Sequence, residues 1–559
     1  MTCFDAARAR AVNSVRKFGA EEKGSLIIFS LFLLLTMLIV AGLAVDFMRT
    51  ETLRTRMQST LDRSVLAAAS MNQALNSKEV VVDYFERAGL DQYLDKGGIT
   101  VVENDFSKTV SASAAASVEP YFLKFLGWTS MPALAAGTAR EGFSDLEISL
   151  ILDVSNSMNG FSSSGATKIE ALKDAAQEFV YRVMCNPDTE NVFLDACTVD
   201  PYTVSMNLIV YNHQVLVGES MLGELNATSE HTDSSCVEFE NEDFFETKFD
   251  VDGTLQRAAH FDAWSYWIVD DPANVYWEPV KADAHGDNYW SCINNAAREI
   301  EPLEDNWVTL FNRIEALTAE GNTSIEIGMK YGIAMLDPSF QPVVGGLNNL
   351  PTSDPQHVID EFTDRPKSFS DAGIQKFAVL MTDGVNTSHF IMKPDYLSGP
   401  SEFWVSNDDT DGDGVADTEI FSVHRSAQSS YRNPLTGDED SAPFGDNPQQ
   451  IDYEDFWPRY KVDFYYNYAH NPLAHNWLQY PVTPSTPANK NSNLVHVCEA
   501  ARNQQVQIFT VGFETTADST ATMKKCASSH AHHFEADGQN IDQVFAAIAR
   551  SIQKLKLVN

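Results

Sequence analysis

Residues 146–157 read LEISLILDVSNS, an apolar run that ends abruptly in oxygen-bearing side chains. Seven residues, five of them large aliphatics, closed by Asp153, suit a strand buried on both faces of a parallel sheet. Similar runs recur at 205–210, 376–381 and 506–511. Helical patterns lie between them. In 168–183, Ile169, Leu172, Ala176, Phe179 and Val183 share one face, and 324–336, 494–502 and 541–555 behave alike. Strands alternating with helices predict an α/β domain from residue 146 to 559, with a mostly parallel sheet covered on both sides.

In such sheets ligands gather at the carboxyl ends of the strands, where Asp153-Val154-Ser155-Asn156-Ser157 stands. An aspartate and two serines at alternate positions can turn three oxygens to one side of a loop. That donor set suits Mg²⁺, a hard ion that prefers oxygen ligands. Two further segments sit at equivalent places: Gly321-Asn322-Thr323 before a helix, and Thr382-Asp383-Gly384 after a strand.

Outside this domain, 22 uncharged residues separate Lys23 from Asp46. As a helix they span roughly 30 Å, the thickness of a bilayer core, and the run is longer than the roughly 7–15 apolar residues of a cleaved signal peptide. Basic residues flank the run on both sides, so charge alone does not orient it. Only Cys3 precedes the helix and six cysteines follow it, which places the bulk of the chain in an oxidising compartment outside the cytoplasm. Residue 29, the fifth after Gly24, is phenylalanine and not glutamate, so no prepilin-type cleavage is predicted. The expected layout is a cytoplasmic N-terminus (1–24), a single transmembrane helix in a bacterial inner membrane (25–45), a membrane-proximal helix and α+β stalk (46–145), and the α/β domain. The stalk's helix is read as continuing from Asp46 to about residue 87, with strands at 99–103 and 108–116 and a further apolar run at 122–128.

The formal charge of −39 excludes binding through a nucleic-acid backbone, which needs a basic face. Residues 218–305 carry 21 acidic against 4 basic side chains, and 391–490 carry 16 against 6. The second segment also holds 16 aromatic residues, too apolar for a solvated polyelectrolyte. Both read as folded acidic insertions in the α/β domain, at about 218–305 and 386–490, and the Trp and Tyr residues read as local cores. His530, His532 and His533 read as surface histidines. There is no G-x-S-x-G elbow, phosphate loop or H-E-x-x-H.

Asp153, Ser155, Ser157, Thr323 and Asp383 together resemble the metal-ion-dependent adhesion site of von Willebrand factor A domains. The resemblance implies a Rossmann-like fold, with Ser155, Ser157 and Thr323 as direct ligands of Mg²⁺ or another divalent cation. Asp153 and Asp383 would then ligate or hold metal-bound waters, and a partner protein's carboxylate would complete the coordination. Residues 41–46 (AGLAVD), 66–69 (LAAA) and the tail from Lys525-Cys526 to 545–549 (FAAIA) are similar to the G-type proteins of the tight-adherence (Flp) pilus assembly system. That resemblance implies a disulfide between Cys498 and Cys526. Cys185, Cys197, Cys236 and Cys292 could pair in three ways, of which Cys185–Cys197 with Cys236–Cys292 is the shortest in range. A second cation candidate, Asp409, Asp411, Asp413 and Asp417 with Gly414 between, resembles a calcium loop, although its twelfth position is Ile420 where an EF-hand needs glutamate.

The expectation is therefore a non-enzymatic, membrane-anchored binding module for a pilus or envelope protein. The alternatives are a stand-alone surface adhesin and an enzyme-activating metal-binding subunit.

Overall fold

In the computed structural model, residues 23–70, 75–104, 107–142, 145–249, 253–263, 290–371, 373–408, 418–426, 428–465 and 481–555 are described. The chain divides into two units, one up to residue 143 and one spanning Ser144–Leu555.

The first unit is built on α1 (Lys23–Ala69). Its apolar N-terminal part, long and apolar enough to cross a membrane, leaves Ile27, Phe29, Phe32 and Leu35 exposed. Further on, Met57, Leu61, Val65 and Ala68 recur every turn and are buried. The helix then stops, and α2 (Ser77–Ala88) starts afresh where the Asn76 side chain accepts the N–H of Lys78. This corrects the expectation of one helix from Asp46 to about 87: the Asn76 side chain caps the start of a second helix, which a continuous one would leave no place for.

Three antiparallel strands, β1 (Thr100–Asn104), β2 (Ser107–Val118) and β3 (Met131–Gly142), pair in that order. Alternate small residues, Ala112, Ala114 and Ala116 on β2 and Ala133 and Ala135 on β3, face the core with the helix residues. β3 was not anticipated, because a run of alanine, glycine and proline carries little strand signal. The apolar run 122–128 is an exposed loop with one tight turn, Leu123–Leu126.

In the second unit, β4 (Asp145–Asp153) is followed by α3 (Lys168–Met184) and β5 (Val204–Tyr211). Next come β6 (Glu301–Glu304), α4 (Trp307–Glu315), α5 (Ile325–Ala334) and β7 (Ile374–Thr382). Then follow α6 (Pro487–Asn503), β8 (Gln507–Phe513), α7 (Ala517–Cys526), β9 (His533–Ala536) and α8 (Ile541–Leu555). The sheet order is β9-β8-β7-β4-β5-β6, parallel except for the edge strand β6. Leu146, Ile148, Leu150 and Leu152 share one core with residues of α3, α4 and α8. Ile151, Ile209 and Tyr211 share the other with α5, α6 and α7. Each such aliphatic side chain contributes about 1.5–3 kcal/mol on burial.

α5 lies unusually close to the sheet. A Cβ on Gly332 would stand 2.3 Å from Ile151 Cδ1, and one on Gly328 would stand 2.5 Å from the Tyr211 ring. Ser149 Oγ donates to the Gly332 carbonyl at 2.6 Å. The glycines thus fix the approach of the helix that follows Thr323.

The segment 386–490 leaves and returns through a narrow stem in which His389–Met392 pairs antiparallel with Val482–Ser485. Beyond it stands a five-stranded antiparallel sheet of Pro400–Asp408, Thr418–Arg425, Ser430–Arg432, Glu439–Asp440 and Gln449–Asp452. Phe403, Phe421, Phe456, Trp457 and Tyr465 form its core, joined by Phe261 from the first acidic segment, so the two segments share one interior. Asp409, Asp411, Asp413 and Asp417 lie outside the described residues. Disulfides link Cys185–Cys197, Cys236–Cys292 and Cys498–Cys526.

Candidate metal centre

Strand order reverses at β4: the chain moves first to β5 on one side and later to β7 on the other. The carboxyl ends of β4 and β7 therefore flank the crevice where ligands of such sheets are expected. Asp153 is the last residue of β4, and Asp383 directly follows β7.

The backbone turns sharply after Asp153, whose Oδ1 accepts the N–H of Ser155 at 2.8 Å while Oδ2 accepts from Thr382 Oγ1 at 2.6 Å. Ser155 Oγ and Ser157 Oγ stand 3.1 Å apart, and Ser157 Oγ donates to Asp383 Oδ1 at 2.6 Å. Asp153, Ser155, Ser157 and Asp383 are thus one connected cluster.

Thr323 arrives differently, through its backbone. Asn156 N–H donates to the Gly321 carbonyl at 2.9 Å and Glu320 N–H to the Val154 carbonyl at 2.8 Å, laying the two loops side by side. Gly321 has φ +77°, and a Cβ there would meet Asn212 and His213 at 2.6 Å. Thr323 N–H donates to Thr387 Oγ1 at 2.9 Å, and its carbonyl accepts from Thr387 N–H and Lys490 Nζ at 3.0 and 3.3 Å. Its hydroxyl makes no hydrogen bond among the described residues.

Burial pushes the Asp153 carboxyl well above the usual range, and the charge of Asp383 adds to the rise. Hydrogen bonds from Thr382 and Ser155 work against it. Two buried carboxylates repelling each other beside two hydroxyls form an oxygen-rich pocket that a divalent cation would relieve. By that test the residues fit a hard ion. Among the described residues no group of three or more His, Cys, Asp and Glu is placed to hold one, so hydroxyls must supply much of any coordination.

Sequence reasoning overlooked Lys168. Its Nζ lies 2.9 Å from Asp383 Oδ2, with the carboxylate side chain fully buried and the lysine 16% exposed. A signal was present: lysine opens α3, where the helix dipole favours acids, so a cation at that position implies a specific anionic partner. Thr387 and Lys490 were also passed over, being supports of the Thr323 loop.

His533 Nδ1 is 2.8 Å from Thr510 Oγ1, and His532 Nδ1 is 2.7 Å from Ser529 Oγ. His532 and His533 serve local hydrogen bonds, and the His533 side chain, 2% exposed where β9 pairs with β8, corrects its reading as a surface histidine.

Among solved structures, the chain is similar to the vWF domain of the type V pili tip protein Mfa5 from Porphyromonas gingivalis, at 12% identity and a TM-score of 0.30, covering 75% of this chain and 98% of that one. Proximal thread matrix protein 1 from the mussel byssus matches at 9% identity and a TM-score of 0.24, covering 72% of this chain and 45% of that one. A further structure of that mussel protein, with a zinc-occupied MIDAS motif, matches at 9% identity and a TM-score of 0.24, over 73% of this chain and 46% of that one. Likenesses of this degree bear no weight on fold or function. No curated protein matches the chain. Residues 24–71, which include most of α1, match the family described as putative Flp pilus-assembly TadE/G-like.

Proposed function

We propose that this chain is a membrane-anchored, metal-dependent binding module of tight-adherence (Flp) pilus assembly or envelope adhesion, and not an enzyme. In this reading α1 crosses the bacterial inner membrane once with the N-terminus in the cytoplasm. Residues 46–145 form a stalk, and 146–559 form a von Willebrand factor A domain carrying two acidic insertions. The observation that carries the reading is the convergence of Asp153, Ser155, Ser157 and Asp383 at the strand-order reversal. The family match over residues 24–71 supports the pilus setting.

Ser155, Ser157 and Thr323 would hold Mg²⁺, with Asp153 and Asp383 in support, and the bound ion would offer a Lewis-acidic position to a carboxylate of the partner protein. The protein's own part is to hold the hydroxyls in place. The Asp153 carboxylate fixes the turn that presents Ser155, Asp383 orients Ser157, and the hydrogen bonds of Thr387 and Lys490 set the Thr323 loop. No general base is needed for a binding function. Calcium at residues 409–417 is a separate expectation on which this reading does not depend.

The test is calorimetric titration of the full-length protein in detergent with MgCl₂, and with CaCl₂ in a separate run. Ser155→Ala with Ser157→Ala removes two ligand hydroxyls and leaves β4 intact, so Mg²⁺ affinity should fall by roughly 100-fold or more, beyond the losses typical of supporting groups. Equal Mg²⁺ binding by both proteins would remove the cluster as the metal site.

A further inference from the structure

The hairpin of β2 and β3 runs down α1 towards its apolar end. Gln58 Nε2 donates to the Ala136 carbonyl at 3.1 Å, Arg54 Nε to the Leu134 carbonyl at 3.3 Å, and Thr50 Oγ1 to the Met131 sulfur at 3.7 Å. Each step towards the hairpin tip is therefore a step towards the helix N-terminus. The tip meets the last turns of the apolar segment, where the Asp46 carboxylate accepts the backbone N–H groups of Tyr121, Phe122 and Leu123, each at 2.8 Å. Arg49 lies over the Tyr121 ring, 3.8 Å from its centroid. Gly42, one turn nearer the membrane, packs so tightly that a Cβ would stand 2.5 Å from Phe122. The loop is thus fastened to α1 at the level of residues 42–49.

Leu123 turns inwards and is buried, while the other large side chains of the loop are exposed. Phe125 is 89% exposed, and Tyr121, Phe122, Leu126 and Trp128 are exposed as well. A cluster of large apolar side chains in one short loop is unusual for a surface that meets only water. It is also continuous with the exposed apolar face of α1, where Val45, Phe47 and Met48 lie open. The loop's one charged residue is Lys124.

We propose that residues 121–128 are a second membrane contact, lying in the headgroup layer of the leaflet from which α1 emerges. The proposal rests on the reading of α1 as a membrane anchor. Lipid is the fitting occupant because the loop extends the lipid-facing surface of the helix at the depth where aromatic rings gather in membrane proteins. Tyr121 and Trp128 have the amphipathic rings suited to that layer, Phe125 and Leu126 the apolar bulk to reach the acyl boundary, and Lys124 a cation for anionic headgroups. The loop would set how deep and at what rotation α1 sits.

The experiment uses the full chain with Cys3→Ala, which removes the one cysteine outside the three disulfides. A nitroxide is attached to Phe125→Cys, Leu38→Cys or Thr138→Cys, and each protein is reconstituted in vesicles of phosphatidylcholine and phosphatidylglycerol. Collision with oxygen, which enters lipid, is compared with collision with a water-soluble nickel chelate. All three native side chains are exposed, so labelling them leaves the fold intact. The expected result is an oxygen-to-nickel ratio severalfold higher at 125 than at 138, approaching that at 38. A lipid-exposed label at 38 with a water-exposed label at 125 overturns the membrane contact and leaves the anchor standing, with a protein-binding face as the remaining use of the loop. A water-exposed label at 38 overturns both.

Discussion

Lys168→Met tests whether the ammonium on Asp383 and a metal ion share the same carboxylate. In the structure Lys168 Nζ sits 2.9 Å from Asp383 Oδ2, and Ser157 donates to the other oxygen. Removing one member of a buried ion pair typically costs about 3–5 kcal/mol. The lower end applies, because the lysine is partly exposed and Ser157 still serves the carboxylate, so about 3 kcal/mol is expected. Unfolding entropy of about 2.1 cal/mol/K per residue over the roughly 400 residues of Ser144–Leu555 gives about 0.9 kcal/mol/K. The melting transition of this unit should therefore fall by about 3 °C in EDTA. On the proposed reading, Mg²⁺ at 100 times its Kd would stabilise the native protein by about 2.7 kcal/mol, again about 3 °C. In the variant the ion no longer competes with an ammonium for Asp383, and a tenfold gain in affinity, modest for coupled charges, raises the increment to about 4.1 kcal/mol, or about 5 °C. Scanning calorimetry of both full-length proteins, with EDTA and at one fixed Mg²⁺ concentration, reads all four transitions. An Mg²⁺ increment in the variant no larger than that of the native protein would refute the sharing of Asp383.

Cys498→Ala with Cys526→Ala opens a loop of 28 residues, and chain entropy gives a loss of about 3–4 kcal/mol, readable as a drop of about 4 °C in the same transition. Lys330 donates to the carbonyls of Asp243, Glu246 and Lys248, and burial lowers its ammonium to about 8. Between pH 8 and about 10.4 the unfolded chain then holds a proton that the folded one has released, so stability should rise with pH across that window relative to Lys330→Met. Urea unfolding at pH 7.5, 9 and 10.5 measures the difference, which should widen upward; a narrowing difference counts against the reasoning. A reporter enzyme that works only outside the cytoplasm, fused after Asn559, should be active in intact cells. Activity of a cytoplasm-only reporter at that point would reverse the topology.

The parts of the second unit that were legible are those where burial leaves a strong pattern. Leu146, Ile148, Leu150 and Leu152 announce one buried face of a strand and Ile151 the other, and the loop oxygens of Asp153, Ser155 and Ser157 follow at once. Thr323 and Asp383 could be placed because each adjoins a regular element, a helix in one case and a strand in the other. Edges were less visible. β6 reads Glu-Pro-Leu-Glu and owes its strand form to antiparallel pairing with β5, which no local pattern encodes. β3 is shaped by the helix lying on it: its alanines permit contact with Leu61 and Val65, while their own strand preference is weak. Lys168 escaped notice because its role depends on Asp383, 215 residues away in sequence. The segment beyond the stem reads as a folded insertion with a local aromatic core, but its strands could not be placed, because short pieces such as Glu439–Asp440 and Gln449–Asp452 carry no strand pattern and are held by pairing with their neighbours.

α1 runs without a break from Lys23 to Ala69, about 70 Å at 1.5 Å per residue. Its apolar part and the part gripped by the alanine strands are one helix, with no proline between them. A displacement of the apolar segment along the helix axis would therefore be shared by Met57, Leu61 and Val65, which sit in the core under the sheet. The unbroken backbone couples the position of the apolar segment to that of the three-stranded sheet.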